Sequence, residues 1–190
     1  LDDKQQAFSS CKTAENSSNI NSLDDNNSLG KLLLNDRNAE WRKELRTSTK
    51  PKERVAISRV RMPELDAEYR ATKRLEEVNT GLTLEMAIRE SRRCLDCANP
   101  SCVKGCPVNI QIPDFIKNIE RGHVLDAAKV LKQTSALPAV CGRVCPQEKQ
   151  CESQCIHLKM NSSSVAIGYL ERFAADYERE SGQVSLPEKQ

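Results

Sequence analysis

The stretch "CLDCANPSCVKGCP", residues 94–107, decides the fold of this chain, because it places four cysteines within thirteen positions. A second group follows, with the spacing Cys141-x3-Cys145-Pro146-x5-Cys151-x3-Cys155. Each group contains one Cys-Pro step. Proline fixes φ, donates no N–H and biases the preceding residue toward extended backbone, so each step should end the helical turn that its cysteine begins. The two groups therefore predict loops that gather ligands.

Three kinds of chemistry use closely spaced cysteines. Disulfides need an oxidising compartment, and the start "LDDKQQAFSSCK" has no features of a secretory signal. The absence of an initiator Met suggests a fragment. Structural zinc sites take four cysteines, usually from two separate pairs, whereas a 4Fe-4S cluster offers four iron corners to one loop. The ferredoxin run Cys-x2-Cys-x2-Cys-x3-Cys-Pro differs from residues 94–107 only by two extra residues before the third cysteine. We favour iron–sulfur clusters and keep zinc as the alternative.

The composition of the 190-residue chain limits its core and its partners. Hydrophobic residues make up 38% and aromatic residues 4%, so the apolar core should be modest. Lys and Arg number 29 against 27 Asp and Glu, and this balance gives no reason to expect a nucleic-acid partner. No apolar run approaches the roughly 20 residues that cross a membrane. We expect a cytoplasmic protein with no membrane contact, in which the isolated Cys11 is a free thiol without a role.

Apolar periodicity predicts an all-α fold whose loops carry the cysteines. Four helices are expected in the stretches "TLEMAIRESRRCL", with Thr83 as its N-cap, "IPDFIKNIERG", "HVLDAAKVLKQ" and "SVAIGYLERFAADYERE". A further helix is expected from Pro63 to the C-cap region at 79–81, and a short one within "LGKLLLNDRNAEWRKELR". No alternating run long enough for a strand is found.

The same reading divides the chain into four parts. Residues 1–27 are predicted to be a disordered tail, because they are rich in Asn, Ser and Asp. Residues 28–61 should form a short helix and a basic linker, residues 62–180 the helical domain, and residues 181–190 a second linker. Residues 41–61 contain eight Lys or Arg against Glu44 and Glu53. We interpret them as a solvated linker, with a docking strip for an acidic partner as the alternative.

Residues 62–178 resemble the N-terminal iron–sulfur domain that the glutamate synthase small subunit shares with dihydropyrimidine dehydrogenase and related NADPH-linked flavoprotein oxidoreductases. All eight grouped cysteines stand in register with that domain. The resemblance covers about 60% of the chain and leaves residues 1–60 unexplained. The stretches that carry it are "MPELDAEYR", "RRCLDCANPSCVKGCPVNIQIPDFI", "AVCGRVCPQEKQCESQC" and "VAIGYLERFAADY".

The resemblance implies two 4Fe-4S clusters with crossed ligands. We call the predicted ligands of one cluster the first group and those of the other the second group. The first group is Cys94, Cys97, Cys102 and Cys155, and the second group includes Cys106, Cys145 and Cys151. Crossed ligation would tie both halves of the chain together. Because metal binding then supplies folding energy, we expect the chain without metal to be largely molten.

One position of the second group remains to be filled. The family pattern spares Cys141, and in dihydropyrimidine dehydrogenase a glutamine on the following helix completes the set. The same spacing from Cys155 leads here to Glu171. A carboxylate oxygen can bind iron, although it is harder than a thiolate. The alternative is that Glu171 is an ordinary surface residue of its helix. For His157, we expect a loop or capping role rather than a ligand role.

The resemblance also implies a function in electron transfer. In such enzymes NADPH reduces FAD on C-terminal domains, which this chain lacks, and the clusters pass electrons toward a large subunit that makes glutamate. The partners would be that large subunit and the chain's own flavin domains. The sequence contains no Gly-x-Gly-x-x-Gly turn and no supported nucleophile arrangement. The alternatives are an NAD(P)-linked ferredoxin or sulfide oxidoreductase and a zinc-stabilised interaction module.

Overall fold

The computed structural model describes residues 37–185, and this part of the chain is helical, which confirms the predicted all-α class. Short 3-10 turns at Gln147–Lys149, Glu152–Gln154 and Ile156–Met160 carry the second cysteine stretch. The predictions for residues 1–27, including Cys11, and for residues 28–36 and 186–190 concern positions outside the described residues. The helices are α1 (Glu40–Ser48), α2 (Pro51–Ala56), α3 (Ala67–Thr72), α4 (Leu84–Ser91), α5 (Ser101–Lys104), α6 (Ile112–Glu120), α7 (Val124–Lys132), α8 (Pro138–Val144) and α9 (Ile167–Ser181).

The apolar core lies where α6, α7 and α9 pack together, with α4 against α6. Helices α4, α6, α7 and α9 form where the sequence predicted them, because each presents an apolar face to the others. The Oγ1 atom of Thr83 accepts a hydrogen bond from the Met86 N–H and caps α4, as expected. Side chains at the centre of the core are fully buried, among them Phe115, Ile116, Ile119, Leu131 and Leu170.

The predicted helix from Pro63 to residue 79 is wrong, because only α3 is helical in this segment. The chain instead folds back on itself through an isolated antiparallel bridge between Glu64 and Asn79. The Leu65 N–H donates to the Val78 carbonyl at 2.8 Å. Most of the segment is exposed, and Leu75 is fully so. A long helix here would have no apolar face to bury, so propensity alone does not sustain it.

The interpretation of residues 41–61 as a solvated linker is also wrong for its central part. Helices α1 and α2 form there, and both Arg42 and Arg54 are only 2% exposed. Buried guanidinium groups need carboxylate partners, and both find them in the helical domain. Arg42 pairs with Asp96, and Arg54 pairs with Glu120 at 2.8 Å. The segment is therefore packed against the domain that it precedes.

Gly142 allows α8 and α9 to approach closely. A Cβ atom at this position would lie 2.6 Å from the backbone nitrogen of Arg172, which cannot move away without shifting α9. We therefore expect Gly142→Ala to lower the free energy of unfolding by about 1–3 kcal/mol, the usual cost of overpacking. Chemical denaturation of the metal-loaded chain measures this. Val144→Ala is the matched control on the exposed face of α8, and an equal effect of the two changes would contradict the close-packing argument.

Candidate metal centre

The first group of predicted ligands surrounds one cavity. Cys94 and Cys97 stand in the loop after α4, Cys102 lies on α5, and Cys155 lies between two 3-10 turns. All four line a cavity of about 390 Å³, counting the part open to solvent. The rest of its wall is largely apolar and includes Ile112, Pro113, Ile116, Val165 and Ile167. The fold thus brings together cysteines that are up to 61 positions apart in sequence, around a space rather than at a point.

The thiols of the first group are close enough to influence one another. Burial raises the pKa of Cys94 to about 11. The pKa of Cys102 is raised first by burial and then by the charges that Cys94, Cys155 and Cys97 would carry. Burial followed by the charge of Cys155 likewise raises the pKa of Cys97. Because the pKa values of Cys94, Cys97 and Cys102 are raised, these neighbouring thiols need a bound cation to become thiolates together, and iron would supply that charge.

The second group forms a separate cluster of side chains. Burial raises the pKa of Cys145 to about 11, and Cys141, Glu171 and Cys106 raise it further through their charges. The pKa of Cys151 rises to about 12 through burial, then through the charges of Glu152, Cys106 and Glu171. The members predicted from the resemblance therefore lie close enough to influence one another.

Glu171 lies inside the second group rather than on the surface. Its side chain belongs to α9, the residue is 5% exposed, and burial raises its pKa to about 7. Its Oε1 atom is buried and has no hydrogen-bond partner. A buried oxygen without a partner is costly, so an unfilled acceptor beside cysteines suits a bound metal. The donor set of the second group, thiolates and one carboxylate oxygen, therefore fits an iron–sulfur cluster.

Cys141 competes with Glu171 for the fourth position of the second group. It lies on α8, one helical turn before Cys145, and its carbonyl accepts a hydrogen bond from the Cys145 N–H at 3.1 Å. Its Sγ atom also accepts a long hydrogen bond, 3.9 Å, from the Ser135 hydroxyl. The structure thus brings both candidates to the same place. All eight grouped cysteines are free thiols.

The two cysteine stretches are fastened to each other by backbone contacts. The Ser101 hydroxyl donates to the Gln154 carbonyl at 2.6 Å, between α5 and the 3-10 turn before Cys155. Gly105 permits an even closer approach, because a Cβ atom there would lie 2.8 Å from the Gln150 carbonyl oxygen. At Cys145 the backbone is extended (φ −62°, ψ 135°) and α8 ends one residue earlier, as the following proline predicts.

His157 has the loop role that the sequence analysis favours. It is fully buried, burial lowers its pKa, and its neutral ring donates from Nε2 to the Arg93 carbonyl at 2.9 Å. This hydrogen bond joins the 3-10 turn after Cys155 to the residue before Cys94. His157 also lines the cavity of the first group. Its contact therefore positions both ends of the first ligand set.

The charged residues around Cys94 and Cys97 were missed from the sequence. Asp96 lies between these cysteines with a φ of 52° and is fully buried. Arg42 and Arg46 of α1 donate to its carboxylate. Lys117 of α6, also fully buried, donates to the Cys94 carbonyl at 2.7 Å. The excess of Lys and Arg in residues 41–61 was the one sequence feature that pointed to these ion pairs, and it did not indicate which carboxylates they bind.

Two further findings hold for residues 37–185. No three His, Cys, Asp or Glu side chains there converge as ligands of one metal ion would. No helix in that range is both long and apolar enough to cross a membrane.

The comparison with protein families matches residues 70–183 to the family described as dihydropyrimidine dehydrogenase domain II, 4Fe-4S cluster. This range contains every residue of both groups.

Individual relatives agree in kind but differ in their names. UacF of Escherichia coli (strain K12), an oxidoreductase by name, is 45% identical over 101 residues, which cover 53% of this chain and 16% of UacF. The glutamate synthase (NADPH) small chain of the same organism is 43% identical over 93 residues, 49% of this chain and 20% of that protein. Its NAD-dependent dihydropyrimidine dehydrogenase subunit PreT is 37% identical over 108 residues, 57% of this chain and 26% of that protein. The chain thus spans about a quarter or less of the length of these relatives.

Proposed function

Because this chain belongs to the dihydropyrimidine dehydrogenase domain II family of 4Fe-4S proteins, we propose that it is an electron-transfer domain with two 4Fe-4S clusters. One cluster binds the first group, Cys94, Cys97, Cys102 and Cys155. The other binds Cys106, Cys145, Cys151 and Glu171. The observation that supports this proposal is that Cys94, Cys97, Cys102 and Cys155, drawn from both cysteine stretches, line one cavity.

The chain's own residues bind the clusters and limit their contact with water. Thiolates hold three or four corners of each cluster, and the aliphatic wall formed by α6 and the start of α9 keeps solvent from one side of the first cavity. A 4Fe-4S cluster accepts and donates single electrons, and its potential depends on charge, hydrogen bonds to sulfur and solvent exposure. The buried Lys117 next to Cys94 contributes positive charge at the first cluster and favours its reduced form.

We propose that the enzyme containing this domain is an NADPH-dependent glutamate synthase. In that enzyme FAD and NADPH bind to other domains, and the clusters pass electrons toward a large subunit. The similarity to glutamate synthase small chains supports this assignment. A second candidate is an NAD-linked dihydropyrimidine dehydrogenase, which the similarity to PreT supports. Glutamate formation by the whole enzyme with a large subunit, compared with pyrimidine reduction, separates the two.

Anaerobic reconstitution tests the cofactor directly. We expect the chain to take up about eight iron and eight sulfide ions, the sum of two cubes, and to turn brown. Iron and acid-labile sulfide are measured per chain, with Cys97→Ser as a variant that should lose one cluster. Stoichiometric zinc with little sulfide would contradict the proposal and favour the zinc-stabilised module.

A further inference from the structure

The loop between Cys94 and Cys97 contains a buried carboxylate, although its sequence gives no reason to expect one there. Asp96 is fully buried and adopts a left-handed φ of 52°. This conformation is uncommon for residues other than glycine, although Asp and Asn tolerate it best. A buried carboxylate in this position costs free energy unless cations and hydrogen bonds compensate for it. Something outside the loop must therefore hold Asp96 in place.

The segment 37–56, which we call the N-terminal clamp, supplies that compensation. Arg42 donates from Nη2 to Asp96 Oδ1 at 2.6 Å and from Nε to Oδ2 at 3.1 Å. Arg46 donates from Nη1 to Oδ2 at 2.6 Å. Arg37 adds a hydrogen bond from Nε to the Asp96 backbone carbonyl at 3.0 Å. Three arginines of one short segment thus converge on a single residue of the ligand loop.

The same clamp also fixes the wall of the first cavity. The second arm of the Arg42 guanidinium pairs with Asp114 on α6, next to the lining residue Pro113. Arg54 pairs with Glu120 at the end of α6 at 2.8 Å. Glu120 in turn pairs with Lys117 at 2.5 Å. Arg42 therefore links the ligand loop to the helix that faces it.

We propose that the N-terminal clamp positions the first cluster, with Arg42 and Arg46 as positioning residues that act through Asp96. The clamp lies before the family match, which begins at residue 70. It holds the backbone of Cys94 and Cys97 in ligating geometry and balances the negative charge of Asp96 beside an anionic cluster. This inference rests on the proposed function.

The test compares the anaerobically reconstituted chain with two variants, Arg42→Gln and Arg46→Gln. We measure iron release to a chelator and the electron paramagnetic resonance signal of the reduced clusters. Four of the eight irons should be released faster by roughly 10- to 100-fold, as when outer partners of metal ligands are lost. The signal of the first cluster should change, and that of the second cluster should not. Cys97→Ser, which removes the first cluster, identifies which signal is which.

Lys132→Gln is the matched control. Lys132 pairs with the buried Glu178 at 2.5 Å, its side chain is 17% exposed, and that of Arg46 is 20% exposed. The control removes a comparable ion pair at a distance from the ligand loop, so it should leave the first-cluster signal unchanged. Equal iron release by Lys132→Gln and Arg46→Gln would overturn the clamp and indicate a general loss of stability.

A charge-rescue pair keeps the test decisive if Arg42→Gln does not fold. Arg42→Gln with Asp96→Asn removes the buried charge of the ligand loop together with its Arg42 partner, so loading should recover in part. Recovery should stay incomplete, because Asp114 still loses its pair with Arg42. Asp96→Asn alone should raise the reduction potential of the first cluster only, since a nearby negative charge is lost. An unchanged potential in Asp96→Asn, or a double variant that loads no better than Arg42→Gln alone, would contradict the proposal. A wild-type chain that fails to bind eight irons would instead refute the proposed function.

Discussion

Removal of iron by anaerobic chelation is expected to release both cysteine stretches, residues 94–107 and 141–160, from their folded state. In the metal-loaded chain the ligands join these stretches to each other. Without metal, that link is lost, and the thiols of Cys94, Cys102 and Cys151 are costly to ionise because burial raises their pKa values. For zinc-finger peptides, metal binding contributes about 10–16 kcal/mol, which equals the whole net stability of a typical domain, about 5–15 kcal/mol.

The loss of folded structure after chelation should not be uniform along the chain. The core between α6, α7 and α9 consists mainly of aliphatic side chains, with Cys151 and Cys155 only two of the nineteen members of its buried cluster, so it should outlast the loops. Hydrogen exchange followed by mass spectrometry should show the amides of both cysteine stretches losing protection first. This expectation is narrower than the largely molten chain inferred from composition, because the structure shows where the apolar contacts are concentrated.

Restoring iron and sulfide is the control for chelation, and it should return protection to both stretches. Zinc alone should not restore the first set fully, because that set surrounds a cavity larger than one ion. If the chelated chain kept protease-resistant loops and unchanged exchange, the clusters would not be structural, and the packing of the loops against α6 and α9 would be sufficient alone.

The helices that could be predicted from the sequence are those whose apolar residues recur on one face. For α6 and α7 this pattern is unambiguous, since Ile112, Phe115, Ile116 and Ile119 point to the same side. The segment after Pro63 has good helix formers but no such stripe, and its helix stops at Thr72. Local propensity is a weak force compared with burial, so it misleads where no face is buried.

Part of the candidate site could likewise be predicted from the sequence, and part could not. Cysteine spacing together with family resemblance was enough to name candidate ligands, and the structure brings those of the first group around one cavity. The clamp could not be found in this manner. Arg42 and Asp96 are 54 positions apart, and a sequence gives no sign that one lysine- and arginine-rich stretch is buried rather than solvated. Long-range ion pairs become visible only when the fold brings both charges together.

Replacement of Glu171 by alanine is expected to convert the second cluster to a three-iron form or to lose it, while the first cluster remains intact. The buried Oε1 atom of Glu171 has no hydrogen-bond partner, and its carboxyl group lies beside the thiols of Cys145 and Cys151. If Glu171 did not bind iron, removing this unsatisfied carboxyl group would leave the stability of the chain unchanged or raise it. Loss of iron from the alanine variant would therefore indicate a lost ligand and not a general loss of stability.

Three companion variants make the test of Glu171 specific. Glu171→Gln keeps an oxygen at the same position and should retain more of the cluster than alanine does, whereas Glu180→Ala, on the exposed end of α9, should have no effect. Cys141→Ser should also leave about eight irons in place, since the carboxylate already fills the fourth corner. Iron counts and electron paramagnetic resonance of the oxidised protein, in which a three-iron cluster is visible, measure all four variants. If Glu171→Ala retained both clusters and Cys141→Ser lost one, the ligand would be the thiol of Cys141, which is already in contact with Cys145.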